Sequence, residues 1–240
     1  MARANRHYMS NLIWHITQRC HNRKFLLKFV RDRKRWLYWL FQAKKRYKIH
    51  ILNYIVTSNH IHLLVHDDLK KSFISESMNL TAGRTAWEYN RRKSRKGAFW
   101  EDRYHATAVE SDSHLWQCMI YIDLNMLRAG VVKHPSEWPH SGYNEMIAQK
   151  ERYSIIDFPY LIKLLRVKDR GGLIDTYEEM IEKKIKSKCI HREPKWTESL
   201  AVGSEEFLKK LKNRMPLRYK NKTIIEHAEG FELHDSRQIP

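Results

Sequence analysis

The segment TSNHIHLLVHDD, residues 57–68, sets two histidines one residue apart inside an apolar run. Side chains alternate between the two faces of a β-strand, so His60 and His62 share one face and the apolar residues between them share the other. Two imidazoles about 7 Å apart along a strand can converge on one metal ion or one phosphate oxygen. Buried, hydrogen-bonded core histidines would show the same pattern. A third ligand and a nucleophile are needed to decide between these interpretations.

A predicted helix over residues 112–130, DSHLWQCMIYIDLNMLRAG, offers both groups. At helical spacing its polar side chains form one stripe, which consists of His114, Gln117, Tyr121, Asn125 and Arg128. A phenol aligned with carboxamides and a guanidinium suits contact with a phosphodiester, and tyrosine can act as a covalent nucleophile when a cation activates it. The tyrosine could instead be a core residue with a solvated hydroxyl.

Composition favours a polyanionic partner. The chain of 240 residues has 45 Lys and Arg against 27 Asp and Glu, a formal charge of +18, although a solvated basic surface would give the same excess. The three cysteines, Cys20, Cys118 and Cys189, lie too far apart for a zinc knuckle or a disulfide framework. No run of 18 apolar residues occurs. We therefore expect a cytoplasmic protein that does not enter a membrane, as a monomer or a homodimer.

Basic residues concentrate in two places. Residues 23–48 hold eleven basic residues and one acidic residue, and a basic loop, RRKSRKG at 91–97, is flanked by Tyr89, Phe99 and Trp100. Cations interleaved with aromatic rings suit unstacked bases and their phosphates, whereas a solvated loop with its aromatic residues in the core is the alternative. The predicted DNA contacts are Arg31, Lys34, Arg35, Arg91, Arg92, Lys93, Arg95, Lys96 and Arg128.

Hydrophobic periodicity predicts an α+β fold. The pattern indicates strands over 11–18, two strands within 48–66 joined at Ser58-Asn59, and a strand over 105–111; helices are predicted over 31–47, 71–92 with a Ser72 cap, and 112–130. The order β-α-β-β-α-β-α predicts a ferredoxin-like antiparallel sheet with helices on one face. Residues 1–133 would form this domain. Residues 134–240 would form a mainly helical C-terminal extension that could add contacts to the polyanionic partner, with loosely ordered residues from 229 onward.

Several blocks of the chain resemble a known family. NHIHLLV resembles the His-hydrophobic-His signature of the HUH single-strand endonucleases, and YIDLNMLRAGVV is similar to the YIxLNPVRAGLV signature of REP-associated tyrosine transposases. These are single-tyrosine transposases of small insertion sequences. IWHITQRCHNR, YNRRKSRKGAFWEDRY and EWPHSGY are similar to the family blocks YHVTQRGNNR, FNRRYGRxGxLWExRY and WxWSSY. The resemblance covers about residues 7–145.

The resemblance implies cleavage and rejoining of single-stranded DNA beside a hairpin or palindromic repeat. Tyr121 would form a 5′-phosphotyrosine and release a 3′-hydroxyl. His60, His62 and Asn125 would hold Mg²⁺ or Mn²⁺, which would polarise a phosphate oxygen. The oxygen of Asn125 suits a hard cation, whereas imidazole pairs are more typical of softer metals, so the identity of the ion follows from the resemblance.

Three residues depart from the family pattern. Met126 replaces a proline and could let the helix continue past Asn125, Cys20 replaces a glycine, and Ser58 replaces a proline. A catalytically inactive DNA-binding protein or repressor on the same fold therefore remains an alternative. A second alternative is a metal-dependent hydrolase in which the histidines activate water and Tyr121 is structural.

Overall fold

The computed structural model describes residues 9, 11–67, 73–148, 153–215, 222–227 and 230–235. Within these ranges seven strands form one sheet: β1 (Leu12–Arg19), β2 (His50–Val56), β3 (His60–Asp67), β4 (His105–Val109), β5 (Ala201–Gly203), β6 (Lys222–His227) and β7 (Gly230–Asp235). The α-helices are α1 (Val30–Tyr47), α2 (Ile74–Arg92), α3 (Ser113–Asp123), α4 (Asn125–Arg128), α5 (Gly142–Ile147), α6 (Phe158–Leu165), α7 (Arg170–Lys186), α8 (Lys195–Glu198) and α9 (Glu205–Arg214).

The first four strands form the ferredoxin-like core. The sheet order is β2-β3-β1-β4-β5-β7-β6, and all pairs are antiparallel except β4 with β5. Each core strand and α1 begins within two residues of its predicted start. Alternation of apolar and polar residues was sufficient to place the strands, and the helical spacing of apolar residues was sufficient to place α1. The predicted α+β fold is confirmed, with the histidine-bearing strand β3 at the centre of the core.

The sheet is covered on both faces, so the expectation of helices on one face is corrected. Directly opposed residues of an antiparallel pair share a face, and Trp100 lies opposite Cys20. The indole of Trp100 donates to the carbonyl of Ala82 on α2 at 3.0 Å, which places α2 on that face. Asn53 lies on the opposite face, where its carboxamide donates to the carbonyl of Met119 on α3 at 3.2 Å. Both faces carry apolar side chains, and each needs a covering layer.

We call these two surfaces the histidine face and the helical face. The histidine face carries Ile13, His15, Thr17, His60, His62 and Leu64, and the helical face carries Trp14, Ile16, Ile61, Leu63 and Val65. Helices α1 and α2 pack on each other over the helical face. Helix α3 and parts of the C-terminal extension lie over the histidine face.

The C-terminal extension contributes strands as well as helices. The helices expected there are present as α6, α7 and α9, but β5, β6 and β7 continue the sheet beyond β4 and were not predicted. Residues 230–235, expected to be loosely ordered, pair with both β5 and β6. Short strands with few alternating residues give a weak sequence signal, and their pairing with a distant partner gives none. The domain boundary at residue 133 stays a prediction.

The predicted helix over 112–130 is divided at Leu124. Helix α3 ends at Asp123, and the four-residue helix α4 continues to Arg128. Directly after the division, the carboxamide of Asn125 reaches the ring of His62 on β3. Gly130 ends this segment with a φ of +68°, as its predicted role as a helix stop requires. The Ser72 cap lies outside the described residues, and α2 begins at Ile74.

Along the described part of the chain, each helix is too short or too polar to span a lipid bilayer.

Candidate active site

The two histidines of β3 lie side by side at the start of the strand. The ring centroids of His60 and His62 are 5.1 Å apart, and His62 is 3% exposed. Burial lowers the pKa of His60 to about 4 and that of His62 well below its ordinary value, and the nearby Arg19 and Arg128 act in the same direction. Both imidazoles are therefore neutral at pH 7, the form in which a ring nitrogen can bind a cation.

The hydrogen bonds of His60 orient its ring. Its Nδ1 lies 2.7 Å from Oδ1 of Asn59 and 2.9 Å from Oγ1 of Thr57. The Thr57 hydroxyl already donates to the carbonyl of His60 at 2.9 Å, so Nδ1 of His60 must be the donor toward these oxygens. The neutral ring then carries its free lone pair on Nε2.

A third histidine stands behind His62. His15 on β1 places Nε2 at 2.9 Å from Nδ1 of His62, and the two rings stack with centroids 5.0 Å apart. Nδ1 of His15 lies 2.7 Å from the carbonyl oxygen of Trp196 on α8. Burial lowers the pKa of His15 to about 3. The sequence reading missed His15, although it alternates with buried residues on a predicted strand.

Tyr121 lies across from these rings on α3. Its ring centroid is 6.0 Å from that of His62 and 6.2 Å from that of His15, in edge contacts. The side chain is 5% exposed, and burial raises the pKa of its hydroxyl, an effect that Arg128 and Arg192 oppose. The sequence-predicted nucleophile and histidine pair therefore occupy the same face of the sheet.

Asn125 and Arg128 complete the predicted group. The Asn125 carboxamide nitrogen is 3.1 Å from Nε2 of His62, so the Met126 substitution has not moved this side chain away. The Arg128 guanidinium lies 4.1 Å from the centre of the Tyr121 ring and donates to the Tyr121 carbonyl at 2.9 Å. Cys20 has φ −66° and ψ 148°, an extended conformation that does not require glycine.

These residues line a cleft of about 650 Å³, which we call the catalytic cleft. It opens between the ends of β1, β3 and β4 and the segment 190–198 of the C-terminal extension. Arginines from four parts of the chain line it: Arg19, Arg103, Arg128 and Arg192. Glu101, Asp102 and Glu198 also reach the wall. Apart from Arg128, the sequence reading missed these arginines, because Arg19 ends β1, Arg103 precedes β4 and Arg192 precedes α8, and only the tertiary fold brings these segments together.

Comparisons with known proteins bear on this fold. A family model described as "Transposase IS200 like" matches residues 8–125, the stretch from β1 to Asn125. Residues 8–125 are therefore similar to the IS200-like transposases. This similarity supports a transposase function. No curated protein matches the chain.

One solved structure shares the fold. The chain is similar to a REP-associated tyrosine transposase bound to a REP hairpin, with a TM-score of 0.51 and 20% identity over 62% of this chain and 87% of that chain. It also aligns with a transposase-like protein of Deinococcus radiodurans R1, with a TM-score of 0.35 and 14% identity over 54% of this chain and 92% of that chain. The predicted fold is thus confirmed, and the match of residues 8–125 supports the resemblance noted from the sequence.

The other predicted DNA contacts of the IS200-like segment lie on the helical face. Arg31, Arg35, Arg91 and Arg92 line a second cleft of about 400 Å³ between α1 and α2, which we call the α1–α2 cleft. Glu88 accepts two hydrogen bonds from Arg35 at 2.7 and 2.6 Å, and Asp32 pairs with Arg92. Lys34, Lys93, Arg95 and Lys96 lie on the adjoining surface.

The aromatic residues at this surface differ from those expected. Phe99 is 3% exposed and packs between Tyr89 and Trp100, so the loop aromatics largely serve the core. Exposed rings near this surface include Trp87, Phe29 and Tyr38, at 53%, 55% and 42%. Arg91 lies 5.2 Å from the Trp87 ring centre and Lys93 lies 5.5 Å from that of Phe29. The sequence around Trp87 and Phe29 did not predict that their rings would be exposed at this surface.

In the described residues, no cluster of three or more His, Cys, Asp or Glu side chains is arranged to hold a metal. A site built on His60 and His62 would therefore need the carboxamide of Asn125 or an external ligand.

Proposed function

We propose that this protein cleaves and rejoins single-stranded DNA at a hairpin-associated site, with Tyr121 as the nucleophile. The observation that carries the proposal is the shared position of Tyr121 and the histidine pair: their rings lie 6.0 Å apart across the catalytic cleft, with an arginine against the phenol. A phenol, paired neutral imidazoles and a guanidinium converging in one polar cleft suit phosphoryl transfer.

In the proposed reaction the Tyr121 oxygen attacks the scissile phosphorus. The new bond joins that oxygen to the phosphorus, the bond from the phosphorus to the 3′-oxygen breaks, and the phenolic proton is transferred to the departing 3′-oxygen. The products are a 5′-phosphotyrosine and a free 3′-hydroxyl. Attack on the phosphotyrosine by another 3′-hydroxyl reverses these steps and joins strands without a nucleotide cofactor.

The residues present fit a divalent cation, Mg²⁺ or Mn²⁺. The Nε2 atom of His60 carries a lone pair, as its Nδ1 partners require, and a half-turn of the Asn125 carboxamide would bring its oxygen toward the histidines. When bound, such an ion would polarise a phosphate oxygen and offset the charge that develops in the transition state. His60, His62 and Asn125 are the proposed ligands.

The arginines of the catalytic cleft supply the electrostatics that this chain itself holds. Arg128 and Arg192 oppose the effect of burial on the Tyr121 pKa and so favour loss of the phenolic proton. With Arg19 and Arg103 they also provide a cationic wall for the DNA backbone on either side of the scissile phosphate.

The α1–α2 cleft would bind a separate part of the DNA. It lies over the helical face, whereas Tyr121 lies over the histidine face, so one phosphate group cannot reach both. Its cations would hold backbone phosphates and its exposed Trp87 would stack on an unpaired base. The structure with TM-score 0.51 contains a REP hairpin, which makes a folded hairpin the partner we propose here.

A non-catalytic DNA-binding protein is the second candidate. The observation that favours it is the burial of Tyr121, which is 5% exposed and has a raised pKa. A buried tyrosine with a raised pKa can act as a nucleophile only if DNA binding exposes and activates its hydroxyl. A repressor needs no such activation of Tyr121.

A labelled hairpin oligonucleotide with a single-stranded flank separates the candidates. The pure protein is incubated with it and Mn²⁺ or Mg²⁺ and run on a denaturing gel. A 5′-phosphotyrosine predicts that a 3′-end label moves to the protein band, while a 5′-end label appears in a shortened free strand. Cleavage without a protein adduct would indicate a hydrolase, and binding without cleavage would indicate the non-catalytic protein.

A further inference from the structure

His62 is supported from behind by a hydrogen-bonded chain that ends in the C-terminal extension. The chain runs from Asn125 to His62, from His62 to His15, and from His15 to the carbonyl of Trp196, over distances of 3.1, 2.9 and 2.7 Å. His15 and Trp196 are fully buried. Trp196 lies far beyond the family-matched residues 8–125, so a residue outside that segment reaches the proposed metal ligand through one intermediary.

The Trp196 carbonyl determines which atom donates and which accepts in each of these hydrogen bonds. A carbonyl oxygen can only accept, so Nδ1 of His15 must carry the proton that points to Trp196. Nε2 of the neutral His15 ring is then an acceptor, and Nδ1 of His62 must donate to it. The lone pair of His62 is left on Nε2, the atom that faces Asn125.

We propose that the Trp196 carbonyl, acting through His15, fixes the tautomer and ring orientation of His62, so that docking of the C-terminal extension sets how tightly the histidine pair holds a cation. His15 is thus a positioning residue. The identity of the bound group rests on the proposed function, whereas the tautomer rests on the hydrogen-bond geometry alone.

The position of the Trp196 carbonyl is itself well determined. The indole of Trp196 donates to Glu193 at 2.9 Å, and its ring lies 6.1 Å from that of Tyr121. The hydroxyl of Thr107 on β4 donates to the same carbonyl at 3.3 Å and to the carbonyl of Ser199 at 2.8 Å. Segment 193–199 is therefore attached to the sheet through β1 and β4, directly behind the histidine pair.

The first test is the tautomer of His62 in the metal-free wild-type protein. Long-range ¹H–¹⁵N correlation spectra distinguish a ring protonated on Nδ1 from one protonated on Nε2. The expected result is a single Nδ1-protonated form for both His15 and His62. A His62 ring protonated on Nε2, or an equal mixture of the two tautomers, would overturn the proposal without any measurement of activity.

The second test is the affinity for Mn²⁺ alone, measured by calorimetry or electron paramagnetic resonance. His15→Phe keeps the ring volume but removes both nitrogens, and we expect it to weaken Mn²⁺ binding about 10- to 100-fold, as loss of a partner of a metal-bound histidine does. Binding of hairpin DNA in EDTA should not change, because the α1–α2 cleft is untouched.

Thr81→Val is the matched control. It removes a buried hydroxyl of α2 that donates to the carbonyl of Ser77, over the helical face, so Mn²⁺ affinity should stay at the wild-type value. Equal Mn²⁺ affinities for His15→Phe and Thr81→Val would refute the proposal. If His15→Phe does not fold, the wild-type tautomer decides. A wild-type protein that binds no Mn²⁺ contradicts the metal in the proposed function, and the tautomer measurement still tests the hydrogen-bonded chain.

Discussion

The two faces of the sheet handle polar groups in opposite ways. On the histidine face, His15 and His62 are buried and hydrogen-bonded to each other, and the buried Asp123 accepts hydrogen bonds from Asn53 and Tyr177. Burial displaces the pKa values of all three side chains. On the helical face, the cations of the α1–α2 cleft stay partly solvated and lie against carboxylates or exposed rings. Burial with hydrogen bonding holds groups in fixed positions, as chemistry requires, whereas solvated cations adapt to a mobile polyanion.

Replacement of the nucleophile should give the largest effect. Tyr121→Phe keeps the ring contacts and removes only the hydroxyl, so we expect formation of the protein–DNA adduct to fall by on the order of 10⁴-fold or more while the affinity for DNA stays nearly unchanged. Tyr104→Phe is the control, since it removes the hydroxyl of another buried tyrosine that contacts Ser75 near the helical face. Undiminished adduct formation by Tyr121→Phe would exclude Tyr121 as the nucleophile and would contradict the cleavage reaction proposed for the histidine face.

Loss of either histidine should be the next most severe change. With His60→Ala or His62→Ala we expect metal-dependent cleavage to fall about 10²- to 10³-fold, the size seen when one electrostatic group that stabilises the transition state is removed. The measurement is the cleavage rate against Mn²⁺ concentration. His66→Gln, on the same face of β3 but bonded to Tyr160, should retain the rate. Cleavage that persists in EDTA would count against a bound ion.

Substitutions in the α1–α2 cleft should affect binding and leave the chemical step intact. Trp87→Ala should weaken binding of hairpin DNA by about 1–3 kcal/mol if its ring stacks on a base. Arg91→Ala should reduce the slope of log affinity against log salt by about 1, because one phosphate contact is lost. Both variants should form the adduct at the wild-type rate once DNA is saturating.

Lys210→Ala is the control for this surface. Lys210 is an exposed cation that pairs with Glu206 on α9, away from either cleft. Its removal lowers the net charge of the protein without removing a proposed DNA contact. A salt slope that falls equally in Lys210→Ala and Arg91→Ala would show that overall charge, rather than the α1–α2 cleft, holds the DNA.

The smallest expected effect is a pH-dependent change in stability that belongs to the histidine face alone. Burial raises the pKa of Asp123 from 3.8 to about 7, while Tyr177 and Asn53 donate to it. The folded state therefore binds more protons than the unfolded state between these values, and the stability that this provides is lost as pH rises through about 7. We expect Asp123→Asn to gain stability relative to wild type between pH 5 and 8, by about 1–3 kcal/mol.

Urea unfolding at pH 5 and pH 8 measures this difference. Glu88→Gln is the control from the other face, because the hydrogen bonds from Arg35 lower the pKa of Glu88 and its titration falls below this range. Its stability relative to wild type should be the same at both pH values. A pH-independent Asp123→Asn would show that this carboxyl is ionised throughout.

The local pattern of the sequence determined the core strands and α1, and it placed the main side chains of the catalytic cleft on one face of each element. Alternation placed His60 and His62 on one face of β3, and helical spacing aligned Tyr121, Asn125 and Arg128, because both periodicities are properties of the backbone alone. The basic excess likewise indicated a polyanionic partner before any element was placed.

Only the tertiary structure decided which groups meet. His15 and Trp196 are separated by 181 residues yet share a hydrogen bond, and the arginines of the catalytic cleft come from strand ends, from α4 and from the segment before α8, which only the fold brings together. The strands of the C-terminal extension, the division of the helix at Leu124 and the exposure of Trp87 are also set by what packs against them. Contacts between distant segments depend on burial and on the pairing of polar groups across the whole fold. The periodicity of a single segment predicts neither.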